Sequence, residues 1–212
     1  EHNNHRGHIT RMTEERLVAL ASGVSANDHD TIRKIVESNE PHLINRVVNL
    51  QTGSRAAEAA FKMMLARFYA LESQTEQPKY AGKTPGFLLM GDYSGGLQAN
   101  YHGTTLFTQM MRGMWPGIAE KLEKAGIARF VPVPINDIDR FRELVEENET
   151  TDRKIAGFAH EFVLMNYGAI ALDRTFVRSA YDICREHDIP VLADEIQSCA
   201  WSPSGFLFRE YG

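Results

Sequence analysis

The sequence predicts an α/β fold: a mostly parallel sheet with flanking helices. Two observations carry that expectation. Short apolar runs rich in Val, Ile, Leu and Phe alternate with segments of helical periodicity along most of the 212 residues, the pattern of repeated strand–helix units. Polar groups come just after several of those runs, where open parallel sheets gather their ligands.

At the N-terminus, the opening EHNNHRGH is polar and lacks a period, so it reads as a mobile terminus. Its His2, His5 and His8 recur every third position, a spacing that would also suit a metal. A helix is expected from about Thr13 to Ala21, with Thr13 as its cap and Glu15 in its first turn. Another begins near Asp28 or His29, with Ile32 and Ile35 on one face. Arg46 to Leu50, RVVNL, reads as a short strand. Next comes QTGSRAAEAAFKMMLARFYAL, whose alanines, Leu65, Met63 and Met64 make a strong helix starting just past Gly53.

Ser73 to Thr84 contains Pro78 and Gly82 and reads as a loop. Its Gly82-Lys83-Thr84 looks like the tail of a P-loop, but Gln77 stands where the earlier glycine belongs. Gly86 to Met90 is a strand and GDYSGG a turn. Helices are expected through Met110 and over Glu120 to Lys124, then a strand over Ala128 to Val133. Ile138 to Glu147 is a helix with Ile138, Phe141, Leu144 and Val145 on one face. Ile155 to His160 is a strand, Leu172 to His187 contains a helix, and Ile189 to Ala193 is the next strand. Residues 1–45 are thus an N-terminal polar segment with helices, and 46–212 the main α/β domain.

Composition narrows the function. Apolar residues make up 43% and charged residues 24%, as in ordinary globular chains. A net charge of -5 leaves no basic excess to neutralise phosphates, which argues against nucleic acid as partner. Ile155 to Leu172, the most apolar stretch, is interrupted by His160, Glu161 and Asn166, so no membrane span is expected. No secretion signal is legible. Cys184 and Cys199 make no disulfide framework and fit reduced thiols of a cytoplasmic protein.

Ser54, Glu161 and Asp194 all fall just past expected strand ends, so one rim of the sheet should gather them. Gly53 and Ser54 at a helix N-terminus suit a phosphate, although Ser54 would equally serve as a plain helix cap. Tyr101 and His102 offer flat side chains beside Gly103, suited to stacking on a ring. Asp194 suits pairing with a ring cation, or capping a helix expected to follow it. Phosphate, aromatic ring and pyridinium nitrogen together describe pyridoxal 5'-phosphate.

The motifs and their order resemble those of class III aminotransferases, the fold-type-I group that includes ornithine, 4-aminobutyrate and omega-amino-acid transaminases. Asp194-Glu195-Ile196-Gln197 is similar to the family's D-E-V-Q, preceded by an apolar strand and a helix ending in C-x-x-H. Tyr101-His102-Gly103 is similar to its Y-H-G. Thr52-Gly53-Ser54, succeeded by Ala56, Glu58, Ala59 and Ala60, resembles its phosphate loop. Glu161 matches the first Glu of E-P-V-Q-G-E-G-G. The resemblance covers roughly Val47 to Gly212.

The resemblance implies a large PLP-binding domain, incomplete here, and roles for its residues. Gly53 and Ser54 would hold the cofactor phosphate. Tyr101 would stack on the pyridine ring, with His102 beside it. Asp194 would pair with the ring nitrogen and Gln197 with the phenolic oxygen. Glu161 would be a supporting or substrate-side acid. It further implies an amino donor, a keto or aldehyde acceptor, and a homodimer.

The sequence also departs from the family. Glu161 is succeeded by FVLMNYG, Arg55 replaces an acid of the phosphate loop, and Gln197 is succeeded by SCAWSPSG. The interval from Ser54 to Tyr101 is long. The lysine that carries the cofactor in the family lies beyond the F-R-E-Y-G segment, and Lys62, Lys83, Lys121 and Lys154 do not match it. The expectation is therefore a fragment, inactive alone, without the C-terminal small domain. An aminomutase or decarboxylase of the same fold, or a non-catalytic binding or assembly module, stays open as an alternative. Cys199 reads as a small buried residue.

Overall fold

The helices and strands form where local sequence and packing agree. The structure, a computed structural model, describes residues 7–41, 43–72 and 76–212. His2 and His5 of the possible metal triplet lie outside them, as do residues 73–75 of the expected loop. The chain divides into two compact units, residues 1–49 with 198–210 and 212, and residues 50–197 with 211.

In the first unit, α1 (His8–Ser22) begins five residues before the expected Thr13. Gly7 is its N-cap, and Thr13 donates instead to the Ile9 carbonyl, 2.9 Å away, inside the helix. Gly23 ends α1 in the left-handed region at φ 70°, which a glycine enters without steric cost. Helix α2 (His29–Glu37) is capped by Asp28, whose side chain accepts from Thr31 N–H. The strand expected at residues 46–50 is absent. That segment finds no ladder partner among the described residues, and Val48 stays 66% exposed. Its β-branched residues express a preference that only a neighbouring strand could use.

The second unit holds the sheet. Helix α3 (Gly53–Leu65) leads into β1 (Thr84–Met90), then α4 (Leu106–Met111) and α5 (Pro116–Lys124). Next come β2 (Arg129–Val133), α6 (Ile138–Asn148) and β3 (Arg153–Glu161). The two-residue strands β4 (Val163–Leu164) and β5 (Ile170–Ala171) pair as a small antiparallel hairpin that the sequence did not announce. Helix α7 (Arg174–Glu186) and β6 (Val191–Asp194) complete this unit; the short α8 (Phe208–Tyr211) follows, with residues 208–210 assigned to the first unit. The main sheet has four strands in the order β2-β1-β3-β6, every neighbouring pair parallel.

β1 and β3 are buried along nearly their whole length, as central parallel strands should be, whereas β6 is only half-buried. On one face, Ala57, Phe61, Met64 and Phe68 pack against Phe87, Leu89 and Ala159. Gly157 makes room for α3: a methyl group there would come 2.3 Å from the Met64 sulfur. On the other face, Phe141 of α6 meets Phe158 edge-on at 5.0 Å, and Phe176 of α7 stands edge-on to Phe141 at 6.1 Å. His160 points to that second face. It contacts the Tyr181 hydroxyl at 2.9 Å and the Glu161 carbonyl at 3.2 Å. Burial holds its imidazole down to about 4, so it is a neutral core histidine. No helix among the described residues is long and apolar enough to cross a membrane.

Candidate active site

The parallel sheet sends the ends of β3 and β6 to one rim, and their last residues are the two acids Glu161 and Asp194. These are register partners across the ladder. Partners in a parallel pair point to the same face, which here is the face covered by α3. Both acids close their strands as the final residue; neither lies past the strand end.

Helix α3 presents its N-terminus to this rim. Its first amides have no partner inside the helix. Thr52, not Ser54, is the cap, with its hydroxyl accepting from Arg55 N–H at 3.2 Å. Ser54 is thereby freed for another task. Its hydroxyl accepts from Thr104 N–H at 3.1 Å and lies 3.4 Å from the Thr104 hydroxyl. No strand leads into Thr52, so the phosphate-loop arrangement rests on the helix and the loop opposite it.

That loop is residues 101–105. Gly103 has φ 112°, and a methyl group there would lie 2.6 Å from the Ser54 Cα. Only glycine lets the two backbones approach so closely. The Thr105 hydroxyl donates to Glu58 on α3 at 2.8 Å, fixing the loop a second time. The segment after β6 arrives from the other side. Ile196 sits against Gly53, 3.4 Å from where a Cβ on that glycine would stand. Gly53 and Ser54, the 101–105 loop and the 194–197 turn therefore meet.

His102 and Asp194 form the centre. His102 has no exposed side-chain surface, and its Nδ1 lies 2.9 Å from Asp194 Oδ2. A carboxylate can only accept, so Nδ1 carries the hydrogen. The His102 Nε2 is buried without a partner. Phe61 stands edge-on to the ring at 6.1 Å. Asp194 Oδ1 accepts from Ile196 N–H at 3.1 Å, a local turn rather than a helix cap. Asp194 keeps 16% of its side chain exposed, so it is not sealed off as His102 is.

Glu161 is 1% exposed, and neither carboxyl oxygen has a hydrogen-bond partner. Burial, and secondarily the charge of Asp194, push its acid up to about 8; Arg112 pulls the other way. Tyr101 is half-buried beside His102, with the Arg112 guanidinium 4.9 Å from its ring centre. Arg112 was not legible as a site residue: it is the C-cap of α4 and stands in no motif. Gln197 is exposed and is not joined to the others by a hydrogen bond. Cys199, expected buried, is exposed, while Cys184 is buried in α7.

The residues fit pyridoxal 5'-phosphate in three respects. Free amides and the close-packed Gly103 flank Ser54, where a phosphate would lie. A carboxylate, held by two donors, stands at the end of the half-buried β6. The buried polar atoms of Glu161 and His102 Nε2 lack partners within the protein, as in a site built for a ligand.

The family model for Aminotransferase class-III matches residues 11–209. The acetylornithine/succinyldiaminopimelate aminotransferase of Photorhabdus laumondii is 28% identical over 172 residues, 76% of this chain and 37% of that protein. The ornithine aminotransferase of an Exiguobacterium species is 29% identical over 156 residues, 72% of this chain and 32% of that protein. Among solved structures, an omega-transaminase from Sphaerobacter thermophilus matches with a TM-score of 0.53 and 20% identity, over 95% of this chain and 43% of that one. The chain spans about a third of the length of the curated relatives it matches.

Proposed function

Because the chain belongs to the class-III aminotransferases, we propose that it supplies the cofactor-binding part of a pyridoxal 5'-phosphate-dependent enzyme. That enzyme moves an amino group from an amino acid or amine to a keto acid or aldehyde. The single observation that carries this reading is the His102–Asp194 pair, set at the strand ends beside the amide end of α3. Residues 46–212 would belong to the large domain of a cytoplasmic homodimer.

Pyridoxal 5'-phosphate supplies a protonated ring that draws electrons from the substrate carbon. The protein's own groups prepare the place for it. Gly53 and Ser54 offer amides and a hydroxyl to the phosphate. Tyr101 limits the space on one side of the ring. Asp194 would hold a proton at the ring nitrogen, since a neighbouring opposite charge favours the charged form by ~1–3 pK units. His102 holds the carboxylate in place by its Nδ1–H bond. Gln197, by the family resemblance, would hydrogen-bond the phenolic oxygen.

Among the described residues of the second unit, no lysine bonds Ser54, Glu161 or Asp194. Lys83, just before β1, and Lys154, the second residue of β3, lie at the start of those strands, where Lys83 bonds the Thr150 carbonyl and Lys154 bonds Glu149. Lys79 pairs with Asp188, and Lys62 lies near Glu58 at 3.7 Å. The chain alone should therefore bind the cofactor without a covalent link and should not turn over. The test is to add pyridoxal 5'-phosphate, follow its absorbance and the protein fluorescence, reduce with borohydride, and take an intact mass. Saturable binding without a stoichiometric adduct is the expected result. A single adduct would show that one of the chain's lysines is the nucleophile, and absence of binding would remove the cofactor site.

A further inference from the structure

Glu161 and Asp194 pose a charge problem. They close adjacent parallel strands, point to one face and are register partners. Two ionised carboxylates so placed, one of them almost wholly buried, repel each other with little water to screen them. One of the pair should hold a proton.

The hydrogen bonds decide which. Asp194 accepts from Ile196 N–H and His102 Nδ1–H, and donors of that kind stabilise a carboxylate. Glu161 accepts from nothing, on either oxygen. We propose that Glu161 is a neutral carboxylic acid, leaving a single negative charge on Asp194.

The groups around Glu161 agree with this assignment. Asp194 on β6 opposes its ionisation, and Arg112 after α4 is the cation that favours it, the weaker influence. His160 on β3 itself is turned to the far face and is held neutral by burial. His102 directs its one hydrogen-bonded nitrogen to Asp194. On α3, Glu58 is engaged by Thr105 and lies near Lys62. The consequence for catalysis rests on the proposed cofactor site. With Glu161 neutral, a ring nitrogen placed there would face one anionic carboxylate, that of Asp194.

The test uses the chain without cofactor, labelled with carboxyl-13C glutamate. Infrared spectra are recorded from pH 5 to pH 9 for the wild type and Glu161→Gln. The expected result is a protonated-glutamate band that persists at pH 7, fades near pH 8 and is missing from the variant. Spectra that coincide in the protonated-carboxyl region at pH 7 would mean that Glu161 is ionised, and would overturn the proposal. Asp194→Asn supplies the second arm: removing that charge should move the fading of the band to lower pH. An unmoved midpoint would show that Asp194 does not hold the proton on Glu161. Since no cofactor is present, a failure of pyridoxal 5'-phosphate to bind would count against the cofactor reading alone.

Discussion

His102 is a buried imidazole whose one strong partner is a carboxylate on another element. A hydrogen bond to a charged group contributes about 1.5–3 kcal/mol, more when its loss leaves a buried atom unpaired. His102→Ala should therefore lower the melting temperature and weaken pyridoxal 5'-phosphate binding together, as read by calorimetry and by cofactor titration. In the proposed enzyme, Asp194→Asn should cut turnover by ~100-fold or more while the circular dichroism stays unchanged, since it removes the charge proposed to hold the ring proton. Turnover within a fewfold of wild type would take Asp194 out of the mechanism. At this scale the residue types were legible and their pairings were not. Asp194 and His102 were both marked by short motifs, but the bond between them joins residues 92 positions apart. Ser54 and Thr52 are both competent caps, and only the loop opposite decides that Thr52 caps while Ser54 bonds Thr104. Arg112 carried no local signal at all.

At the scale of elements, the 101–105 loop is held against α3 by one backbone position. Gly103→Ala would add a methyl group 2.6 Å from Ser54 Cα at φ 112°. Strain of that kind costs roughly 1–3 kcal/mol, or about 2–4 °C in melting temperature per kcal/mol for a chain of this size. The variant should also lose affinity for inorganic phosphate and for pyridoxal 5'-phosphate in parallel. Loss of stability alone would separate the loop from the binding site. Long periodic elements were legible: α3, α6, α7, β1 and β3 appear where the apolar pattern put them, within a few residues. Elements that depend on a partner were not. Residues 46–50 have strand-forming side chains but no neighbour, and the β4–β5 hairpin forms from strands of two residues each, too short to show a period. The start of α1 was misplaced because Gly7 carries no side-chain cap to mark it.

At the scale of the whole molecule, two buried groups shape the response to pH. His160 titrates near 4 when folded against 6.5 ordinarily, so its stability contribution is present above 6.5 and lost as pH falls through 4. Glu161 titrates near 8 against 4.5, so its contribution is present below 4.5 and lost as pH rises through 8. Between 4.5 and 6.5 the two slopes oppose each other, and above 6.5 Glu161 acts alone. From pH 6.5 to 8, denaturant unfolding should show stability falling by up to about 1.4 kcal/mol per pH unit from this group. Glu161→Gln should flatten that limb. A wild-type profile already flat there would contradict the assignment.

The strand order carries one more consequence, and it concerns time. In the main sheet Gly86 pairs with Arg129, Thr84 with Arg153, and Phe158 with Val191. No two of these strands join through a hairpin, so each pairing closes a long loop before it gains any contact, and such topologies fold slowly. Helix α3 can form early on its own sequence, but the rim it serves is finished only when β6 docks on β3 and brings Asp194 to His102. Acquisition of cofactor binding during refolding should accordingly lag behind the recovery of helical signal, which makes the ligand a reporter of the last step of assembly.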